Sequence, residues 1–350
     1  MKVKAIAILV AALAAAALVV PLSTPGISKG AGKNPYGFAD LSTFPKPQIK
    51  GPEIISGLEE YVDNYPLRQN GLPNNAAAAE WLGKEAEKYG FKTTIREYAA
   101  GPNGVRNVRV VESVKRGTEK PNEWIALVAH YDAVAPDGVG ATVQGAYDPA
   151  SGANMLRYFG KAFSKIKTKR SIALIWFDAE ENGLLASKAY VENFVKKKGA
   201  PKIVAAMGFD MVGIAYPAPY CMCIYHGTNG PADAAKGVPI IDYVNKDFLK
   251  FPMGDGAPAT AKWPRGIEGH VCNCGANIRN SDESSFANAG IFTMRWTGMR
   301  TASDYPGYHF PWDTVAFMEQ VAGSRENLEQ GSENTFVSAY YTTLLLDNLE

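Results

Sequence analysis

Three uninterrupted apolar runs constrain this chain more than any other feature: WIALVAH at 124–130, SIALIWFDAE at 171–180 and IVAAMGFDMVG at 203–213. A strand with one wet face alternates polar and apolar residues, whereas a run apolar at every position suits a strand covered on both faces. Between the runs lie SGANMLRYFGKAFSKI and LLASKAYVENFVKKKG, helix-like segments that end in lysines complementing a helix C-terminus. Strand, helix, strand, helix, strand in that order predicts an α/β fold. Its expected form is a three-layer sandwich, a central mostly parallel mixed β-sheet flanked by helices. A fourth run, GIFTMRW at 290–296, adds a core strand, and TFVSAYYTTLLLDNLE closes the chain as an amphipathic helix. Ahead of the first run, NNAAAAEWLGKEAEKYG at 74–90 reads as a helix with asparagine caps and Gly90 at its stop. FKTTIREY and VRNVRVVESV then read as strands.

The first residues read differently. Lys2 and Lys4 precede an unbroken apolar run from Ala5 to Val20, then Pro21 and small polar residues, which is the pattern of a secretory signal peptide. The run falls short of the roughly 20 residues that cross a bilayer, so no stable membrane association is expected after its removal. The expected division is therefore a signal peptide at 1–28, a Gly-, Pro- and Lys-rich extended arm or pro-segment at 29–53, and one domain at 54–350. A stretch rich in Pro and Gly at about 214–280 reads as a loop-rich insertion on the rim. Without Lys2 and Lys4 the formal charge moves from +1 to −1, and no block of like charge remains to attract nucleic acid. The cysteines come as two pairs, Cys221 with Cys223 and Cys272 with Cys274. In an exported chain an even count favours disulfides, and neighbours two apart are poorly placed to bridge each other, so bonds between the pairs are expected.

Each apolar run ends in groups that carry chemistry. His130 and Asp132 follow the first, Glu180 and Glu181 the second, and Asp210 lies in the last turn of the third. Open α/β sheets bind ligands at the carboxyl ends of their strands. One charged residue there is ordinarily just solvated, but three sets after three such apolar strands call for a compensating cation. Asp148, in GAYDPASG, precedes a helix start, and His309, in YHFPWDT, lies in a loop after the fourth run. Two imidazoles with three carboxylates suit zinc, and five ligands exceed what one tetrahedral ion with an open position needs. They fit two ions sharing one carboxylate.

HYD, GAYDPASG, FDAEENG, GFDMVG and YHFPWDT occur in the order and approximate spacing of the twenty-eighth metallopeptidase family. The chain resembles these co-catalytic dizinc aminopeptidases, to which some carboxypeptidases and glutaminyl cyclases are related, from about Ile55 to the C-terminus. The resemblance implies that Asp148 bridges both zinc ions, that His130 and Asp210 complete one, and that Glu181 and His309 complete the other. It implies Glu180 as general base and Asp132 as the carboxylate that holds the His130 ring. The expected substrates are peptides with a free N-terminus, with glutaminyl cyclase and carboxypeptidase activities as rivals on the same scaffold. Two positions depart from the family pattern. Pro149 stands where relatives carry Asn or Asp, and since the family site has a cis peptide there, a cis Asp148–Pro149 bond is expected. Glu283 stands in SDESSF where relatives often show His, which leaves the roles of Asp282 and Glu283 open. His226 and His270 match no motif and read as surface or hydrogen-bonded histidines, while Tyr225 and Tyr308 are candidates to contact substrate or a reaction oxyanion.

Overall fold

The computed structural model describes residues 34–104, 106–134, 143–214, 221–227, 231–254, 261–276, 280–298 and 305–350. The expected signal peptide at 1–28 and the first residues of the arm lie outside them. The elements in chain order are α1 (Gly51–Asn64), α2 (Pro73–Glu87), β1 (Lys92–Ala100), β2 (Arg106–Lys115), β3 (Lys120–His130), α3 (Ser151–Phe163), β4 (Arg170–Phe177), α4 (Leu185–Tyr190) and β5 (Lys202–Phe209). They continue as β6 (Met222–His226), α5 (Pro231–Ile241), β7 (Val271–Ala276), α6 (Glu283–Asn288), β8 (Thr293–Thr297), α7 (Val315–Ala322) and α8 (Arg325–Asn348).

The eight strands among the described residues form one sheet in the order β1-β2-β4-β3-β5-β8-β6-β7. β4, β3, β5 and β8 run parallel to one another, while β1, β2 and the β8–β6 pair are antiparallel. The α/β sandwich expected from the sequence is thus observed. Side chains alternate between two buried layers: Ile125, Leu127 and Ala129 of β3 face the larger core with Trp176 of β4, and Ala126, Val128 and Phe177 face the smaller one. A strand apolar at every position is the natural consequence.

Several expectations need correction. The boundary placed after residue 53 falls inside α1, where Pro52 in the first turn starts the helix and Ile54, Ile55 and Leu58 are already core residues. Residues 34–50 lie along the domain: Tyr36 and Phe38 stack near Tyr243, and the Tyr340 hydroxyl donates to the Pro45 carbonyl at 2.7 Å. The 214–280 stretch is more than a looped rim, because β6 and β7 extend the sheet and α5 packs on them. Their strands are too short to show a period in sequence, but the bonds Cys221–Cys272 and Cys223–Cys274 tie β6 to its parallel neighbour β7, as expected between the pairs. α8 is buried nearly all round rather than amphipathic. Several of its polar residues are hydrogen-bonded within the core: Thr335, Thr342 and Thr343 donate to carbonyls four residues earlier, and Ser338 accepts from Trp296 and donates to Asn245. The helix predicted over 74–90 begins at Pro73 on an N-cap, Leu72, that offers no side-chain bond, and the buried Asn75 is used elsewhere. Among the described residues no helix is long and apolar enough to cross a membrane.

Candidate metal centre

The parallel register of β4, β3 and β5 brings their carboxyl ends to one edge of the sheet, and the expected residues converge there. His130, the last residue of β3, is buried with Nε2 3.4 Å from Asp148 Oδ1 and 3.5 Å from Asp210 Oδ1. His309 arrives from the loop before α7 with Nε2 3.3 Å from Asp148 Oδ2 and 3.0 Å from Glu181 Oε2. Asp148 therefore lies between two imidazoles, one carboxylate oxygen toward each. Glu180 offers an oxygen within 4.8 Å of ligand atoms on His130 and Asp210.

The backbone is forced into place by polar clamps. Asp132 accepts from Glu180 N at 3.0 Å and Glu181 N at 3.4 Å, so it holds the glutamate turn as well as facing His130. Its carboxylate is 3.5 Å from His130 Nδ1, and its main-chain oxygen is nearer at 3.2 Å. Behind the turn, Asp178 accepts from Asn75 at 2.8 Å, from Asn70 at 2.6 Å and from Ala179 N at 2.8 Å. The Asp148 loop is held by Asp313, whose oxygens accept from Tyr147 N at 2.9 Å, Asp148 N at 3.0 Å and the Tyr305 hydroxyl at 2.9 Å. The Asp148–Pro149 bond is cis, as expected. Ala179, Leu184, Met211 and His309, all beside this site, adopt positive φ without being glycine. Such backbone costs about 1–3 kcal/mol each and persists where surroundings dictate it. Gly152, at the start of α3, is required by close approach: a Cβ there would lie 2.1 Å from the Phe209 carbonyl oxygen.

Without a cation the site is electrostatically crowded. Burial pushes the Glu180 carboxyl well up, helped by Asp282, Asp210 and Glu181. Burial and the nearby Asp148 raise Glu181 to about 7. Burial opposes charge on His309, yet its bonds to Asp148 and Glu181 prevail and lift it to about 10. His130 is raised in the same way, its desolvation outweighed by Glu180, Asp132, Asp148 and Asp210. Burial would raise Asp148, but the two imidazoles hold it well below the ordinary carboxylate range. Glu181 Oε1 and Asp210 Oδ1 are buried without hydrogen-bond partners among the described residues. Buried polar atoms are rarely left so, and a donor set of imidazole nitrogen and carboxylate oxygen fits divalent zinc.

A sequence profile of peptidase family M28 matches residues 109–325. The chain belongs to this family. That bears out the resemblance read from the five motifs and agrees with the metallopeptidase class expected from it. Among relatives, the chain is similar to the aminopeptidase YwaD of Bacillus subtilis, 23% identical over 234 residues, 64% of this chain and 43% of that protein. The chain spans less than half the length of the curated relatives it matches. In three dimensions it resembles a leucine aminopeptidase precursor from Bacteroides thetaiotaomicron, with TM-score 0.60 and 18% identity over 87% of this chain and 99% of that one. A glutaminyl cyclase from the same organism, bound to N-acetylhistamine, resembles it equally, with TM-score 0.60 and 18% identity over 87% of this chain and 100% of that one. At such identity these two likenesses speak for the fold.

Sequence reasoning passed over Asp178, Asp313 and Arg295. The two aspartates sit inside motifs already singled out, FDAEENG and YHFPWDT. Tyr308 stacks on His309 with ring centroids 3.6 Å apart, so one tyrosine candidate touches the site's edge. His226 lies in β6 beside α5, and His270 lies next to the disulfide of Cys221 and Cys272, outside this site.

Proposed function

We propose that the chain is a secreted, zinc-dependent exopeptidase that releases N-terminal residues from peptides at a two-zinc centre. The observation that carries the reading is Asp148, whose two oxygens each face a different histidine at 3.4 and 3.3 Å, dividing the ligands into two halves around one bridging group. His130 and Asp210 would hold one ion, Glu181 and His309 the other. Zinc supplies Lewis acidity and a lowered water pKa when bound. Glu180 takes the proton of the attacking water and returns it to the departing amine, a role suited to a buried carboxyl that its surroundings raise above the ordinary glutamate range. Asp132 keeps Glu180 and Glu181 in register through their main-chain N–H groups.

Secretion is supported by the Lys2-to-Pro21 pattern and by two disulfides, which persist in oxidising compartments. In this reading residues 1–28 are removed and the residues from α1 onward form one catalytic domain. A second reading, glutaminyl cyclase, is favoured by the equal likeness to that enzyme's fold. The test is turnover of a leucyl anilide, a glutaminyl peptide and a C-terminal reporter peptide by purified protein, before and after chelation and zinc return. Zinc-restored release of the leucyl group with two ions per chain supports the proposal. Cyclisation of the glutaminyl peptide alone, or C-terminal release alone, overturns it.

A further inference from the structure

Arg295 is a charged side chain at 2% exposure in the middle of β8, where its neighbours Met294 and Trp296 are core residues. A guanidinium cannot shed its proton to escape burial, so something must hold it there. Its Nη2 donates to Asp210 Oδ2 at 3.2 Å, and its Nη1 donates to Asn280 Oδ1. Its parallel partner on β5 is Gly208, and a Cβ on that glycine would fall 2.4 Å from a carboxylate oxygen of Glu283. The absent side chain thus opens room for Glu283, and Asp210 and Glu283 together reinforce the charge on Arg295. The consequence for Asp210 is a division of its two oxygens. Oδ2 is committed to the guanidinium, while Oδ1 is buried without a hydrogen-bond partner among the described residues and lies 3.5 Å from His130 Nε2.

We propose that Arg295 is a positioning residue for one half of the metal centre: by occupying Asp210 Oδ2 it presents Oδ1 alone to the ion shared with His130. Asn280 and Glu283 complete the support, Asn280 by fixing the second arm of the fork and Glu283 by balancing the charge. Among the described residues, the other half, Glu181 with His309, has no such guanidinium in its contacts. The two ions are therefore held by unequal supports, and loss of Arg295 acts on one of them. This inference rests on the two-ion reading of the site.

The experiment is a zinc titration of metal-free protein by competition with a chromophoric chelator, together with the visible spectrum of the cobalt-loaded protein. In Arg295→Met one ion keeps its wild-type affinity and the other weakens by about 10- to 100-fold, the usual effect of deleting a ligand's outer partner. The cobalt spectrum changes at that ion alone, because a released carboxylate ligates through both oxygens. Arg295→Lys keeps the charge without the fork and loses less. If Arg295→Met does not fold, Arg295→Lys decides: a weakened second ion supports the proposal and an unchanged one overturns it. Equal weakening of both ions, or of neither, overturns it too. A wild-type stoichiometry below two ions overturns the two-ion reading and this inference with it, whereas two ions with an indifferent Arg295 overturn the inference alone.

Discussion

Glu180→Gln separates the work of two adjacent glutamates. The substitution keeps the side chain's volume and leaves Glu180 N on Asp132 Oδ1 at 3.0 Å, so the turn that carries both residues is undisturbed. It removes the one proton acceptor assigned to the attacking water, and loss of a general base lowers turnover by about 10²–10⁴-fold, or roughly 3–5 kcal/mol of barrier. The stability change has the opposite sign. Glu180 is raised well above the ordinary glutamate range by burial and by Asp282, Asp210 and Glu181, so its ionised form opposes folding at every pH above the unfolded value. Replacing it with a neutral amide therefore leaves the metal-free protein at least as heat-resistant at pH 7 as the wild type. Glu181→Gln is the matched control: Glu181 Oε2 is 3.0 Å from His309 Nε2, and its loss should remove zinc from that half of the site. The assay is kcat on a leucyl anilide at saturating zinc, with metal content by elemental analysis and thermal unfolding of the stripped proteins. The reasoning is refuted by a Glu180→Gln protein that retains turnover within tenfold, or that loses zinc as Glu181→Gln does.

Three further outcomes follow from the same geometry. His309 is raised to about 10, so it is protonated at pH 7 in the metal-free protein and must release its proton to bind zinc, and His130 is shifted in the same direction. Zinc affinity should fall from pH 8 to pH 6, and calorimetric titration in two buffers of different ionisation heat should show proton release; equal heats would contradict it. Asp313→Ala orphans Tyr147 N and Asp148 N on the loop that carries the bridging residue. It should cost about 1–3 kcal/mol per orphaned donor and weaken both ions, in contrast to the single ion affected through Arg295, as a chelator competition would show. The two disulfides each join residues 51 apart and close nearly the same loop. Denaturant unfolding should show a loss of about 4 kcal/mol when all four cysteines become serine, but a small fraction of that when one bridge remains.

The strands that bear the site were legible because burial on both faces leaves every position apolar, a signal that does not depend on distant contacts. Among the candidate site residues, His130, Asp132, Glu180, Glu181 and Asp210 were legible because they stand at the ends of such runs, whereas Asp148 and His309 were picked out by the motifs around them. What escaped was whatever depends on a partner far away in the chain. GPEIISGLEEYVDN looks unpromising as a helix because of Gly51 and Gly57, yet Gly57 is small so that α1 can pack on Tyr158, where a Cβ would lie 2.2 Å from the hydroxyl. Asn75 looks like a cap, and its real partner is Asp178, 103 residues on. Arg295 looks like an interruption in a core strand until Asp210, 85 residues before it, is brought alongside by the β5–β8 register.

In the proposed function the adjacent glutamates take two roles without help from the side chains themselves. Nothing in the identity of Glu180 and Glu181 distinguishes them, and both are raised by burial. They differ in what the backbone lets them reach. Ala179, at φ 51°, turns the chain sharply off β4, and Asp132 then fastens the next two N–H groups. With the main chain fixed, successive side chains must diverge, one toward His309 and the other toward His130 and Asp210. The division of labour is therefore a property of the turn and its clamp on β3. It follows that Asp132, bonded to both N–H groups, governs both glutamates in the proposed mechanism: loosening it would blur which one binds and which moves the proton.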